Sequence, residues 1–275
     1  MTFTLGYSPC PNDCFIFDAL VHKKIDTEGL NFTVRLEDVE TLNSMAQQSE
    51  LDITKLSFHA FAYVNHHYIL LRSGSALGFN CGPLLIKRKN HSGEINANSI
   101  VAIPGKLTTA NFLFSLAYPQ VKNKIPYVFS DIENAVLSGK VDAGLIIHEN
   151  RFTYEDKGLE KIMDLGQYWD SIIHAPIPLG GIVMKRSHDN KILQKVNDLI
   201  KRSVEYAFAN PESCMPYVRA HAQEMNEDVM KKHIALYVNR FSVDLGAEGK
   251  QAVDLLFSQA QEKGLIEKID RALMI

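Results

Sequence analysis

The sequence predicts an α/β protein of two lobes. Three observations carry this. Strand-like runs alternate with helix-like runs as far as about residue 185, the pattern of α/β chains. Two pairs of segments repeat each other in the same order along the chain. Beyond about residue 185 the pattern turns helical, so the two repeats are followed by a helical tail.

Taken in order, FTLGY opens as a short strand and FIFDALVHKK follows as a helix. The polar segment SPCPND (8–13) joins them, and Asn12 or Asp13 is expected to cap a helix beginning at Cys14 or Phe15. The stretch FTLGYSPCPNDCFIFDAL (3–20) is echoed by SIVAIPGKLTTANFLFSLA (99–117): a strand, a proline-containing polar loop, then a helix with alternating Phe and Ile or Leu. FTVRLEDVE with ELDITKLS (32–57) is echoed by YVFSDIE with GKVDAGLIIHE (127–149), and Asp52 and Asp142 take the same place. In the tail, Ile192, Leu193, Val196, Leu199, Ile200, Val204 and Phe208 fall at spacings of three and four and predict one apolar helix face. Asn210-Pro211 reads as a cap and first-turn proline of the next helix. A last amphipathic helix is stopped by Gly264.

Duplication assigns residues 1–86 plus 183–275 to lobe I and residues 87–182 to lobe II, with a ligand cleft between the lobes. The chain is expected to cross near LLIKRKN (84–90) and return near GGIVMKR (180–186). Open α/β sheets bind ligands beyond the carboxyl ends of their strands. The segments after strand ends are therefore the candidates: Ser8 to Asp13, Lys55 to Ser57, Gly105 to Ala110, and His148 to Asn150.

Composition narrows the function class. The 275 residues are 46% hydrophobic and 22% charged, with a net charge of −3. The longest basic run is KRK (87–89), which gives no basis for a nucleic-acid or polybasic membrane surface. The amino terminus reads as a strand rather than a signal peptide, and no apolar run approaches the ~20 residues of a membrane span. The four cysteines, Cys10, Cys14, Cys81 and Cys214, are expected to be free thiols in a cytoplasmic protein.

His148 follows the apolar run GLII, at the end of a strand with the character of a buried one. Imidazole titrates near 6.5, so a histidine there suits proton transfer. Most histidines in a chain have structural roles, and there are ten. His22 and His233 fall on helix patterns, His91 and His188 in polar loops, His59, His66 and His67 after TKLS, and His174 in an irregular segment. Ser57 and Thr108 stand where helices start, with Thr109 beside the latter; such starts cap helices and also hold anions. PGKLTTA fails the phosphate-loop pattern, having Ile100 and Leu107 where Gly and Ser or Thr are needed. No paired metal-ligand motif, hydrolase elbow or G-x-G-x-x-G is present, so no metal or dinucleotide cofactor is expected.

Four segments extend this reading. SPCPND-x-FIF-x-ALVH, LEDVETLN with TKLS, RSG-x-ALG-x-x-x-GPL and GLIIHE-x-RFTY together resemble the 1,4-dihydroxy-6-naphthoate synthase family of menaquinone biosynthesis. PGKLTTA, PLGGI and RAHAQE extend the resemblance over most of the chain. It implies a fold like the type 2 periplasmic binding proteins. It also implies a carbon–carbon lyase that converts cyclic dehypoxanthine futalosine to 1,4-dihydroxy-6-naphthoate, releasing dihydroxyacetone, with no cofactor. His148 would be the proton acceptor. Lys55, Leu56, Ser57, Thr109 and Ala110 would contact a small carboxylate-bearing substrate, with Ser8, Asn12, Asp13, Thr108 and Arg151 as further candidates. Cys14 departs from the threonine expected there. A non-catalytic carboxylate-binding protein of the same fold and the sister chorismate dehydratase are the alternatives. Oligomeric state is not legible.

Overall fold

The first strand, β1 (Thr2–Tyr7), leads into α1 (Pro11–Val21), then β2 (Asn31–Leu36), α2 (Val39–Gln47), β3 (Ile53–Ser57), α3 (Phe58–Val64), β4 (Tyr68–Leu70) and β5 (Ala76–Gly78). Next come β6 (Leu84–Arg88), β7 (Val101–Ile103), α4 (Thr109–Ala117), β8 (Lys124–Pro126), α5 (Ile132–Leu137), β9 (Ala143–Ile146), β10 (Leu159–Asp164) and α6 (Leu165–Ile173). The long strand β11 (Ile177–Lys185) and helices α7 (Asn190–Ala209), α8 (Pro211–His221), α9 (Glu227–Tyr237), α10 (Arg240–Val243) and α11 (Gly246–Glu262) complete the chain. This computed structural model describes residues 1–90, 93–222 and 226–275. His91 and the end of RAHAQE, Gln223 and Glu224, lie outside the described residues. No helix among the described residues is long and apolar enough to cross a membrane.

The chain divides into two compact units, Met1–Gly78 with Pro178–Ile275, and Phe79–Ile177. The first boundary falls before the LLIKRKN segment because Leu84–Arg88 is an inner strand of the second sheet, paired on both sides. The two sheets share one plan. In the first the order is β2-β1-β3-β11-β4, with β5 beside β11; β1 pairs in parallel with β2 and β3, and β11 runs antiparallel. In the second the order is β10-β6-β9-β7-β8; β7 pairs in parallel with β8 and β9, and β6 runs antiparallel. Strands β1, β2 and β3 thus correspond to β7, β8 and β9.

The register makes the correspondence residue by residue. Leu5 faces Ile53 as Val101 faces Ala143. One residue earlier, Asp52 accepts hydrogen bonds from the Thr4 amide (2.9 Å) and hydroxyl (2.8 Å), and Asp142 accepts from the Ile100 amide (2.7 Å). Both acids tie the start of the first parallel strand to the third. Burial pushes the Asp52 carboxyl up, but the Thr4 bonds and nearby Lys185 and His188 outweigh it and hold Asp52 below its ordinary value. Such a group adds stability that is complete above its unfolded pKa, near 3.9, and disappears as pH falls through the lower folded value. Asp52→Asn is therefore expected to cost about 1 kcal/mol at neutral pH. The cost should shrink below about pH 4; an equal loss at pH 7 and pH 3 in urea titrations would refute this.

The predicted second-copy strand, YVFS, is displaced. The strand is Lys124–Pro126, and Phe129–Asp131 forms a 3-10 turn. Pro126 has no amide hydrogen to extend the edge strand, and proline is tolerated at an edge for that reason. Gly6 and Gly144 allow a helix to lie close on each sheet: a Cβ at Gly6 would meet Leu51 and Leu42, and one at Gly144 would meet Ile132 and Val136.

Helix α1 is buried nearly all round because the sheet covers one side and α7, α8 and α9 pack on the others. Its Cys14, Phe15, Ile16, Phe17 and Leu20 join Phe3, Leu5 and Tyr7 of the sheet and Val196, Leu199, Ile200 and Val204 of α7 in the main core. Cys14 is fully buried there, which places it in the core. Each such large apolar side chain contributes roughly 1.5–3 kcal/mol. The apolar face of α7 follows the spacing except at Phe208, which is 45% exposed near the helix end. Pro211 opens α8 as expected, but the Asn210 side chain donates back to the Tyr206 carbonyl (3.1 Å) and closes α7 instead. Gly264 adopts a positive φ of 65° just past α11. The second unit has its own core, built on Leu84, Ile86, Ile132, Val136, Ile146 and Leu159. All four cysteines are buried as thiols outside any disulfide.

Candidate functional site

In the first unit, β1 and β3 are parallel neighbours, so their carboxyl ends lie side by side. Ser8, Asn12 and Asp13 follow β1; Lys55, Leu56 and Ser57 finish β3. Helix α1 begins earlier than the sequence suggests, at Pro11, whose fixed φ suits the first helical position and whose missing amide hydrogen costs nothing there. Cys10 takes the cap position without a side-chain cap bond. Asn12 and Asp13 are therefore first-turn residues, and their side chains are released for other partners.

Asp13 gathers them. Its carboxylate accepts from the Ser8 amide (3.2 Å) and hydroxyl (2.7 Å), from Asn12 Nδ2 (2.8 Å) and from the Lys55 ammonium. The ion pair is buried, with side-chain exposures of 9% for Lys55 and 2% for Asp13. An ammonium carries three donors. Among the described residues Asp13 is the acceptor for the Lys55 ammonium.

Ser57 stands at the first position before α3 but does not cap it. Its amide donates to Asn43 Oδ1 (3.0 Å), and Asn43 Nδ2 donates to its hydroxyl (3.3 Å). Asn43 is fully buried on the inner face of α2, beside Leu42 and Ala46. Leu56 is fully buried within the strand, opposite Gly181 of β11. Gly180 lies opposite Ser57 on β11, and a Cβ there would stand 3.0 Å from the Leu56 carbonyl oxygen.

In the second unit the parallel neighbours are β7 and β9. Thr108 caps α4: its hydroxyl accepts from the Asn111 amide (3.2 Å) and donates to the Gly105 carbonyl (2.9 Å). Thr109 and Ala110 open that helix and are buried. Asn111 Nδ2 donates to the Lys106 carbonyl (2.7 Å), which folds the PGKLTTA loop onto the helix start. His148 follows β9 and begins a 3-10 turn, His148–Phe152. Its φ of 60° lies in the left-handed region, rare for a non-glycine residue and worth roughly 1–3 kcal/mol of strain. Its ring lies 4.7 Å from that of Phe129, tilted by 56°. Phe129 and the backbone turn both restrict the imidazole.

Arg151, expected among the ligand contacts, is engaged within its own unit. Its guanidinium donates to the Gly82 carbonyl and to Asp164 Oδ2 (2.7 Å). Asp164 Oδ1 in turn caps α6 through Gly166 and Gln167. Arg151 therefore anchors the turn that carries His148. His174 closes α6 in a left-handed conformation (φ 56°).

Sequence reasoning missed Asn43 and read His233 only as a histidine on a helix pattern. Each is a polar side chain on an otherwise apolar helix face: Asn43 between Leu42 and Ala46, and His233 among Val229, Met230, Ile234 and Tyr237. A buried polar residue on such a face is the informative signal.

A family model described as "Menaquinone biosynthesis" matches residues 3–262. The chain belongs to this family. A Thermus thermophilus protein named "1,4-dihydroxy-6-naphtoate synthase" is 44% identical over 273 residues, covering 98% of each chain. A Streptomyces coelicolor protein of the same name is 41% identical, covering 96% of this chain and 95% of its own. Both relatives are named as synthases. Among solved structures, a protein of Archaeoglobus fulgidus has a TM-score of 0.90 at 31% identity, covering 96% of this chain and 98% of its own. The alkanesulfonate-binding protein of Xanthomonas axonopodis pv. citri, bound to MOPS, has a TM-score of 0.73 at 12% identity, covering 99% and 96%. The second likeness establishes the periplasmic-binding-protein fold for a member of a biosynthetic family.

Proposed function

We propose that this protein is a 1,4-dihydroxy-6-naphthoate synthase. It converts cyclic dehypoxanthine futalosine to 1,4-dihydroxy-6-naphthoate and releases dihydroxyacetone. The observation that carries this reading is the 44% identity to a synthase of that name across 98% of both chains. A biosynthetic step of this kind fits a cytoplasmic enzyme.

In this reading His148 accepts a proton from the substrate. The electron pair left behind drives cleavage of the carbon–carbon bond to the three-carbon fragment as the ring becomes aromatic. The left-handed turn and the Phe129 ring restrict the imidazole before substrate arrives. The buried Lys55 ammonium suits the substrate carboxylate. Ser57, Thr109 and the Ala110 backbone supply hydrogen bonds to the remaining oxygens.

Incubating the purified protein separately with cyclic dehypoxanthine futalosine and with chorismate, followed by mass spectrometry, tests the assignment. Product is expected from the first substrate and none from the second. Turnover of chorismate would make it the sister dehydratase, and turnover of neither would leave a binding protein.

A further inference from the structure

The helical tail sends one polar side chain into the Asp13 cluster. His233 of α9 is 1% exposed, and its Nε2 lies 2.9 Å from Asn12 Oδ1. The direction of that bond follows from the next one. Asn12 Nδ2 donates to Asp13 Oδ1, a carboxylate oxygen that only accepts, so the Asn12 carbonyl oxygen faces His233. An amide oxygen is itself only an acceptor. His233 Nε2 must therefore carry the hydrogen and donate it. The chain of bonds runs His233 to Asn12, Asn12 to Asp13, and Asp13 to the Lys55 ammonium, with Ser8 holding the second Asp13 oxygen.

Lysine is a flexible point charge on a four-carbon stem. Asp13 fixes where its nitrogen sits. Asp13 in turn is held by near neighbours in sequence, Ser8 and Asn12, and His233 gives the Asn12 side chain an anchor from a distant helix. Tyr237, one helical turn beyond on α9, packs its ring 4.6 Å from the His233 ring and restricts the imidazole.

We infer that His233 is a positioning residue for Lys55, acting through Asn12 and Asp13, so that the helical tail sets the place of a substrate-binding charge. The inference rests on the reading of Lys55 as a substrate contact.

Steady-state kinetics with cyclic dehypoxanthine futalosine test it. His233→Phe keeps an aromatic ring against Tyr237 and removes the donor. It is expected to raise KM about tenfold with kcat within about threefold of wild type. His233→Gln restores an N–H donor and should recover most of the loss. Asn12→Leu breaks the same chain at its next link and should reproduce the KM effect, which decides the matter if His233→Phe does not fold. The double variant Lys55→Met/His233→Phe should have the KM of Lys55→Met alone within about twofold, because both changes act on one interaction. Lys55→Met raising KM while His233→Phe and Asn12→Leu leave it unchanged overturns this inference alone. Full additivity in the double variant does the same. An unchanged KM for Lys55→Met overturns the reading of Lys55 itself, and the inference with it.

Discussion

His148→Asn is expected to lower kcat by about 10²–10⁴-fold, the usual worth of a positioned general base. Asparagine tolerates the left-handed backbone that position 148 requires, so the turn should survive. Product affinity, measured by calorimetry, should stay within about threefold of wild type, since the loss falls on an interaction made in the transition state. A variant retaining near-wild-type turnover would remove His148 from the mechanism. His148→Ala separates the two roles of the site. Alanine lacks the base and is also poorly suited to φ of 60°, so it should lose stability as well as activity.

Asp13→Ala is expected to cost the first unit about 3–5 kcal/mol, because it leaves the buried Lys55 ammonium without its counter-charge. Chemical denaturation should show this as a lowered midpoint. Combining Asp13→Leu with Lys55→Met removes both charges and should recover much of the loss, as replacement of buried pairs by apolar residues commonly does. A loss below about 1 kcal/mol for Asp13→Ala would mean the pair behaves as a surface ion pair does.

Much of this architecture is legible in the sequence, for physical reasons. Segments with period-2 or period-3.6 apolar patterns become the strands and helices they suggest, and the repeated strand–loop–helix order appears as two sheets with one plan. The place of the candidate side chains is legible too, because strand ends are marked by where apolar runs stop: Ser57 after ITKL, His148 after GLII. What is not legible is how polar side chains divide their bonds. Ser57 and Asn12 look like caps from their positions, yet Ser57 pairs with Asn43 and Asn12 bridges to His233. Nothing local to residues 8–13 announces a partner in α9, and a chain separation of that size leaves no periodic trace. Arg151 is likewise a long, charged side chain whose engagement with Gly82 and Asp164 depends on tertiary packing alone.

The segment SPCPND gains a definite purpose from these bonds. A plain turn would join β1 to α1, but it would not deliver two first-turn side chains into the interior while a proline holds the helix start.

The paired carboxylates Asp52 and Asp142 have a last consequence. They fix two matched frames, and in those frames the register sets Lys55 against Leu145, Ser57 against Ile147, and Phe58 against His148. At these three positions one copy carries a polar group and the other an apolar one. The two halves thus share a backbone plan but not its side chains: the first carries Lys55 where the second is apolar, and the second carries His148 where the first is apolar.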